Sequence, residues 1–329
     1  MIDASLLLAQ VAVLVLMIVP GFLLAKSGLM VKDSAKAISN LILYAAQVAL
    51  LISGFAAVDF SDAILKRMLT VFFLALIAHI MFYGIGVIFF GHVVGKKKNA
   101  LIFSTTFTNA GYMGIPLLLA LFGTVHPEIA IYGSVYVAAF NIFVWSLGAF
   151  IYTEDKSYIS VKKMFLNPAS IATYIGLVLF LLSGIPAVRE AFIQPIVRNP
   201  EGIVKPLLDN LKALVAPLSM IIIGLRLTDL NIKDALRDKY LYINILVSLL
   251  LTPAAMFALL KLLSVLGIYH DALTASMMLI FTAAPAATAT SMFAEKHDGD
   301  KVYAGLLVSI TSILCVVTMP IVSLLTKLY

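Results

Sequence analysis

Long apolar runs, separated by short polar connections, fill this chain from end to end. The runs lack the two-residue alternation of half-buried strands and the one-sided stripe of surface helices, so they read as helices apolar all round. A helix needs about 20 apolar residues to cross a hydrocarbon core. Ten windows meet or approach that length, at 4–25, 36–58, 68–91, 99–122, 128–152, 168–184, 204–227, 239–264, 272–294 and 302–327. The pattern predicts an all-α integral membrane protein of ten transmembrane helices.

Composition agrees. Hydrophobic residues make up 62% of the 329 and charged residues 12%, with a mean hydropathy of +1.06. Soluble domains carry about 25% charge. The first window has no basic stretch before it and no small-residue cleavage site, so it is expected to be a retained span. The lone Cys315 lies in an apolar run and reads as a small core residue.

The net charge of +6 is explained by topology. The odd-numbered connections hold Lys26, Lys32, Lys36, Lys96, Lys97, Lys98, Lys156, Lys162, Lys163, Lys233, Arg237, Lys239, Lys296 and Lys301, fourteen in all. The other side holds seven: Lys66, Arg67, Arg189, Arg198, Lys205, Lys261 and Lys327. Basic residues collect on the cytoplasmic side, so both termini are expected outside, in a prokaryotic cytoplasmic membrane. The charge then needs no nucleic-acid partner.

The chain also repeats itself. At an offset of 170, Asn40, Leu41, Ala46, Ile52, Gly54 and Asp59 meet Asn210, Leu211, Ala216, Ile222, Gly224 and Asp229. Asp62-Ala63 falls on Asp234-Ala235 and Gly133 on Gly305 at nearly the same spacing. Windows 1–5 would then correspond to windows 6–10. Five is odd, so the second half enters the membrane inverted. Inverted repeats of this kind are built around a substrate site at the midplane. The expected organisation is a first repeat over 1–152, a short cytoplasmic linker over 153–167, and a second repeat over 168–329.

Two windows break the pattern in corresponding places. TFTNAGYMGIPLLLALFG (106–123) and LIFTAAPAATATSMFAEKHDGD (279–300) each set a proline and small polar residues inside an apolar span. Proline leaves the carbonyl one turn earlier without its helical partner, and such groups cannot face lipid. Pro116 and Pro285 are therefore expected where second half-helices begin. Two electropositive half-helix N-termini meeting at the midplane would bind an anion without a basic side chain. Gly111 and Gly114 would let the broken helices cross, and Asn109 and Tyr112 could hydrogen-bond a carboxylate. Ordinary proline kinks and glycine packing are the alternative.

NAGYMGIPL (109–117), LNPASIA (166–172), APLSMIIIGLRL (216–227) and AAPAATATSMFAEKHDGD (283–300) resemble the signature stretches of the auxin efflux carrier family, which includes microbial malate permease-like and PIN-like carriers. The resemblance covers nearly the whole chain. It implies two inverted five-helix repeats with broken helices 4 and 9 crossed, as in sodium/bile-acid symporter-like folds. It also implies an elevator-type motion of helices 3–5 and 8–10 against a scaffold of helices 1, 2, 6 and 7, and a homodimer. The short 153–167 linker favours a microbial type.

The expected substrate site comprises Asn109, Gly111, Tyr112, Met113, Gly114, Ile115 and Pro116 with Ala284, Pro285, Ala286 and Thr288. Asn141 in the fifth span, and Gln47 and Ser219 on the scaffold side, are further candidates, though a serine often bonds back to its own helix. His79 is a candidate for ion coupling, with a satisfied structural histidine as the other reading. Arg226 is placed to snorkel, and Asp59, Asp62, Asp229 and Asp234 to cap span ends. No carboxylate lies mid-span, so the expected activity is transport of an organic anion without an obligatory side-chain carboxylate for coupling; the expected substrate is a small carboxylate, malate-like or an aromatic or aliphatic monocarboxylate. A cation- or proton-coupled carrier of the same fold, or a membrane receptor, is the alternative. No Walker motif, metal-spaced set or placed nucleophile points to an enzyme, a cofactor or a metal.

Overall fold

The computed structural model describes residues 4–31, 34–228 and 237–329. Lys32, Asp229, Lys233 and Asp234 lie outside them. The described residues are helical, with no strand and one isolated β-bridge. The helices used below are α1 (Ser5–Lys26), α2 (Ser34–Ala56), α3 (Asp62–Phe90), α4 (Lys97–Thr106), α5 (Ala110–Phe122), α6 (Ile129–Thr153), α7 (Pro168–Leu182), α8 (Pro186–Val197), α9 (Val204–Leu227), α10 (Lys239–Val265), α11 (Ala272–Ala283), α12 (Ala289–Lys296) and α13 (Lys301–Leu328). Among the described residues, seven are long and apolar enough to cross a membrane. An eighth is gained if α7 and α8, bent by 113°, count as one span. The fourth and ninth windows of the sequence are each divided in two, as α4/α5 and α11/α12.

Polar residues set the helix starts. The side chains of Ser61, Asn167, Asp238, Asp271 and Asp300 each accept a backbone N–H of the first turn, opening α3, α7, α10, α11 and α13. The Ser61 cap starts α3 six residues before the window at 68, bringing Asp62 into its first turn, where the helix dipole favours a carboxylate.

Ion pairs show which connections share an end of the bundle. Lys96–Asp298, Lys98–Glu154 and Lys97–Asp238 tie the third, fifth, seventh and ninth connections together. Arg67–Asp271 and Arg198–Asp59 tie the second, sixth and eighth at the other. Arg198 also donates to the carbonyls of Ala56 and Val58 at 2.6 Å each, closing the C-terminal end of α2. Asp59 is thus an ion-pair partner of Arg198 and Arg189 and not simply a solvated end.

The tightest packing joins α1 to α9 and α2 to α7. At the first crossing, a Cβ on Gly224 would stand 2.1 Å from the Ile18 carbonyl oxygen, and one on Gly21 2.2 Å from that of Ile221. Only glycine lets these backbones touch. Cys315 is buried, donating to the Ser312 carbonyl at 2.9 Å.

Candidate functional site

The two interruptions meet. Phe107, Thr108 and Asn109 leave α4 in extended form and run antiparallel to Pro285, Ala286 and Ala287. The Asn109 N–H donates to the Pro285 carbonyl at 2.7 Å, and the Ala287 N–H to that of Phe107 at 2.8 Å. Each break thus satisfies backbone groups of the other, which is how unwound chain survives at this depth. The helical partner of the Phe281 carbonyl would be the N–H of residue 285, which proline lacks. Thr108 Oγ1 donates to that carbonyl instead, at 2.8 Å. The Ala286 N–H, pointing away from the pairing, donates to Thr311 Oγ1 at 3.1 Å.

Pro116 is the second residue of the α-helical stretch Ile115–Phe122, but the half-helix opens earlier, and Pro285 sits elsewhere than expected. Pro285 lies in the extended segment, four residues before α12 begins. Pro116 lies inside α5, beyond a wide π-turn at Ala110–Gly114. The first break is made by Phe107–Asn109, where Asn109 adopts φ −78° and ψ 44°, and the π-turn absorbs the shift in hydrogen-bond register ahead of Pro116. Gly114 does admit the other broken helix, since its Cβ would be 2.9 Å from the Phe281 ring. Gly111 instead abuts Val137 of α6, at 3.1 Å.

A cavity opens beside the crossing, with about 110 Å³ available to the centres of water-sized groups. At about 30 Å³ per water in the liquid, that is room for roughly four such groups, the size of a small organic acid. Gln47, Asn109, Gly111, Tyr112, Asn141 and Thr288 line it. So do Thr108, Trp145, Met292 and Lys296, which the sequence did not single out. The first turns of α5 and α12 both open onto it. Val137, Phe140, Asn141, Val144 and Trp145 form one stripe of α6, at i, i+3, i+4, i+7 and i+8. Thr288, Met292 and Lys296 repeat at i, i+4 and i+8 along α12. Three π-turns, at Ile42–Ala46, Ala110–Gly114 and Val144–Gly148, contribute wall residues. Such turns recur at functional sites because they re-aim side chains.

Most of the wall is hydrocarbon and aromatic. The Lys296 ammonium lies 4.5 Å from the Trp145 ring centroid. Asn141 Nδ2 donates to the Val137 carbonyl at 2.8 Å, and the Tyr112 hydroxyl to Gln47 Oε1 at 3.1 Å. Asn109 is 3% exposed, and among the described lining residues its Nδ2 is the buried side-chain nitrogen with no partner.

Met113, Gly114, Ile115, Pro116, Ala284, Pro285 and Ala286 do not line the cavity; Met113 and Ile115 pack in the core with Phe281 and Tyr136, whose rings stack at 4.5 Å, and Ala284, Pro285 and Ala286 are buried. Ser219 is buried away from it, donating to the Val215 carbonyl at 2.6 Å. His79 lies one layer back, its Nδ1 2.7 Å from the Ala75 carbonyl, enclosed by Phe107, Tyr136, Phe140 and Phe143. Arg226 pairs with Glu295 of α12 at 2.6 Å. Among the described residues, no three His, Cys, Asp or Glu side chains gather as a metal site.

A family model described as a membrane transport protein matches residues 6–323. The chain belongs to this family, that of the auxin efflux carriers. It is an integral membrane protein of a transport family, and membership covers both breaks and every wall of the cavity. A search of curated proteins finds no match.

Proposed function

We propose that the protein carries a small organic anion across the membrane by alternating access, with the substrate held where the two breaks cross. The observation that carries this reading is the unpartnered Asn109 Nδ2, buried at a cavity onto which two half-helix N-termini open. A carboxylate accepts from such donors and is favoured by both dipoles. The predominantly apolar wall favours a monocarboxylate with a hydrocarbon or aromatic body over a hydroxylated diacid.

An elevator motion fits the packing. The α1–α9 and α2–α7 contacts exchange under a half-to-half relation, as a scaffold shared by inverted repeats requires. Met292, Phe293 and Lys296 carry the cavity along α12 towards the end of the bundle where Lys96 meets Asp298, while the other side of the crossing is filled by Met113, Ile115, Tyr136 and Phe281. With the lysine-rich end in the cytoplasm, the cavity lies on the inward side of the crossing.

Uptake of labelled carboxylates into proteoliposomes tests the proposal. Asn109→Ala should raise the half-saturating concentration about tenfold, the loss of one charge-assisted hydrogen bond. Unchanged kinetics would remove Asn109 from the site, and binding without flux in the wild type would make the protein a receptor.

A further inference from the structure

One hydrogen bond spans the cavity between parts that the elevator reading sets in relative motion. Tyr112, in the first turn of α5, donates its hydroxyl to Gln47 Oε1 of α2 at 3.1 Å. Both residues line the cavity. Gln47 is 5% exposed and sits where the π-turn Ile42–Ala46 returns to α-helix, its own N–H reaching back to the Ile42 carbonyl. The wide turn aims the amide at α5. Asn109, three residues before Tyr112, lines the same cavity, and its Nδ2 is buried beside it without a partner.

The tyrosine hydroxyl is held by a neutral amide oxygen. A carboxylate is a stronger acceptor, since bonds to an ionised partner are about twice as strong as neutral ones. We propose that the Tyr112–Gln47 bond is a tie that the substrate itself releases. The hydroxyl turns from Gln47 to one carboxylate oxygen while Asn109 Nδ2 donates to the other. The empty carrier is held to α2, and the loaded one is let go. Gln47 is thus a competitor of the substrate and not a ligand for it, a positioning residue acting through Tyr112. This inference rests on the cavity being an anion site.

The two roles predict opposite signs. If Gln47 binds substrate, removing its amide weakens binding. If it competes for the Tyr112 hydroxyl, Gln47→Leu lowers the half-saturating concentration about three- to tenfold, the span of a net hydrogen bond. It also raises net uptake relative to exchange, because the empty carrier returns more freely. Gln47→Met should do the same and serves if the leucine variant folds poorly. Tyr112→Phe raises the half-saturating concentration, and adding Gln47→Leu to it changes nothing further, since no hydroxyl is left to hold. The measurement is carboxylate uptake and exchange in proteoliposomes, with folding checked by gel filtration. A half-saturating concentration unchanged or raised in both Gln47 variants, beside a transporting wild type, overturns the tie alone. A wild type that neither binds nor carries any carboxylate overturns the tie and the anion site together.

Discussion

Thr108→Val is the most informative single change at the crossing. It keeps shape and β-branching while deleting the hydroxyl that serves the Phe281 carbonyl at 2.8 Å. Phe281 is fully buried, so no solvent reaches its carbonyl to replace the lost donor. Leaving a buried carbonyl unpaired costs about 1–3 kcal/mol. That should lower the thermal midpoint in detergent by a few degrees, since 1 kcal/mol moves the midpoint of a chain this long by roughly 2–4 °C or less. Thr108→Ser should restore it. The mechanism makes a sharper claim through Pro285, whose missing N–H created the orphan. In a Pro285→Ala background, the new N–H lets α11 extend and serve Phe281 itself. Thr108→Val should therefore cost less there than in the wild type, a coupling readable from the double-mutant cycle. Strict additivity, or a Thr108→Val protein as stable as its parent, would refute the account of how the break is satisfied.

Pro116 and Pro285 should behave differently. Pro116→Ala falls inside α5 and should leave a carrier with much of its uptake, whereas Pro285→Ala should abolish it; equal losses would mean the first break extends to Pro116. Gly224→Val places a Cβ where the nearest backbone oxygen is 2.1 Å away, so yield of folded protein should collapse, while Gly84→Ala, which meets nothing within 4 Å, should be tolerated on gel filtration. Asp271 titrates outside the spans. Burial pushes its carboxyl up, but the bonds from Thr274 and the Arg67 charge outweigh this and hold it below the ordinary carboxylate value. Its stabilisation is present above the unfolded value of about 3.9 and is lost as pH falls through the folded one. The midpoint should hold from neutral pH to about 4 and then drop, and Asp271→Asn should flatten that drop.

Much of the fold was legible because lipid imposes a single rule on every span. Apolar windows located the helices, and those opening at 168 and 272 start where the structure places the Asn167 and Asp271 caps. The interruptions at 106–123 and 279–300 announced themselves as polar residues in apolar company. What the proline positions could not show was where each break begins. Proline reports which carbonyl loses its helical partner, not where the chain unwinds. At Pro116 the π-turn takes up the difference, and the unwinding falls at Phe107–Asn109. The wall of the cavity was only half visible. Asn109, Tyr112, Asn141 and Gln47 stand out as polar groups within spans. Trp145 and Met292 are ordinary membrane residues, and only the i, i+3, i+4 spacing from Asn141, or i+4 from Thr288, ties them to the site. Thr311 was invisible, because its task is to receive the Ala286 N–H from a segment brought to it by the fold.

The crossing also explains how two breaks that carry no charged residue can hold unwound chain at this depth. A single broken helix would leave extended backbone facing lipid or demand ionisable side chains to satisfy it. Two breaks that run antiparallel pair through Asn109 with Pro285 and Ala287 with Phe107, which disposes of the inward-facing backbone groups at no cost in charge. The outward-facing ones go to hydroxyls, the Ala286 N–H to Thr311 and the Phe281 carbonyl to Thr108. With these backbone groups paired, a side-chain donor left over at the cavity is Asn109 Nδ2, and the field left over is that of the two helix tips. On the proposed reading, a carboxylate entering such a site meets Asn109 and the two helix tips already desolvated. Its own charge then becomes the largest electrostatic change the crossing undergoes in transport. A crossing that is quiet when empty and polarised when filled is suited to sensing occupancy, and Tyr112, one turn from Asn109 and bonded to a different helix, is the nearest group able to pass that change on.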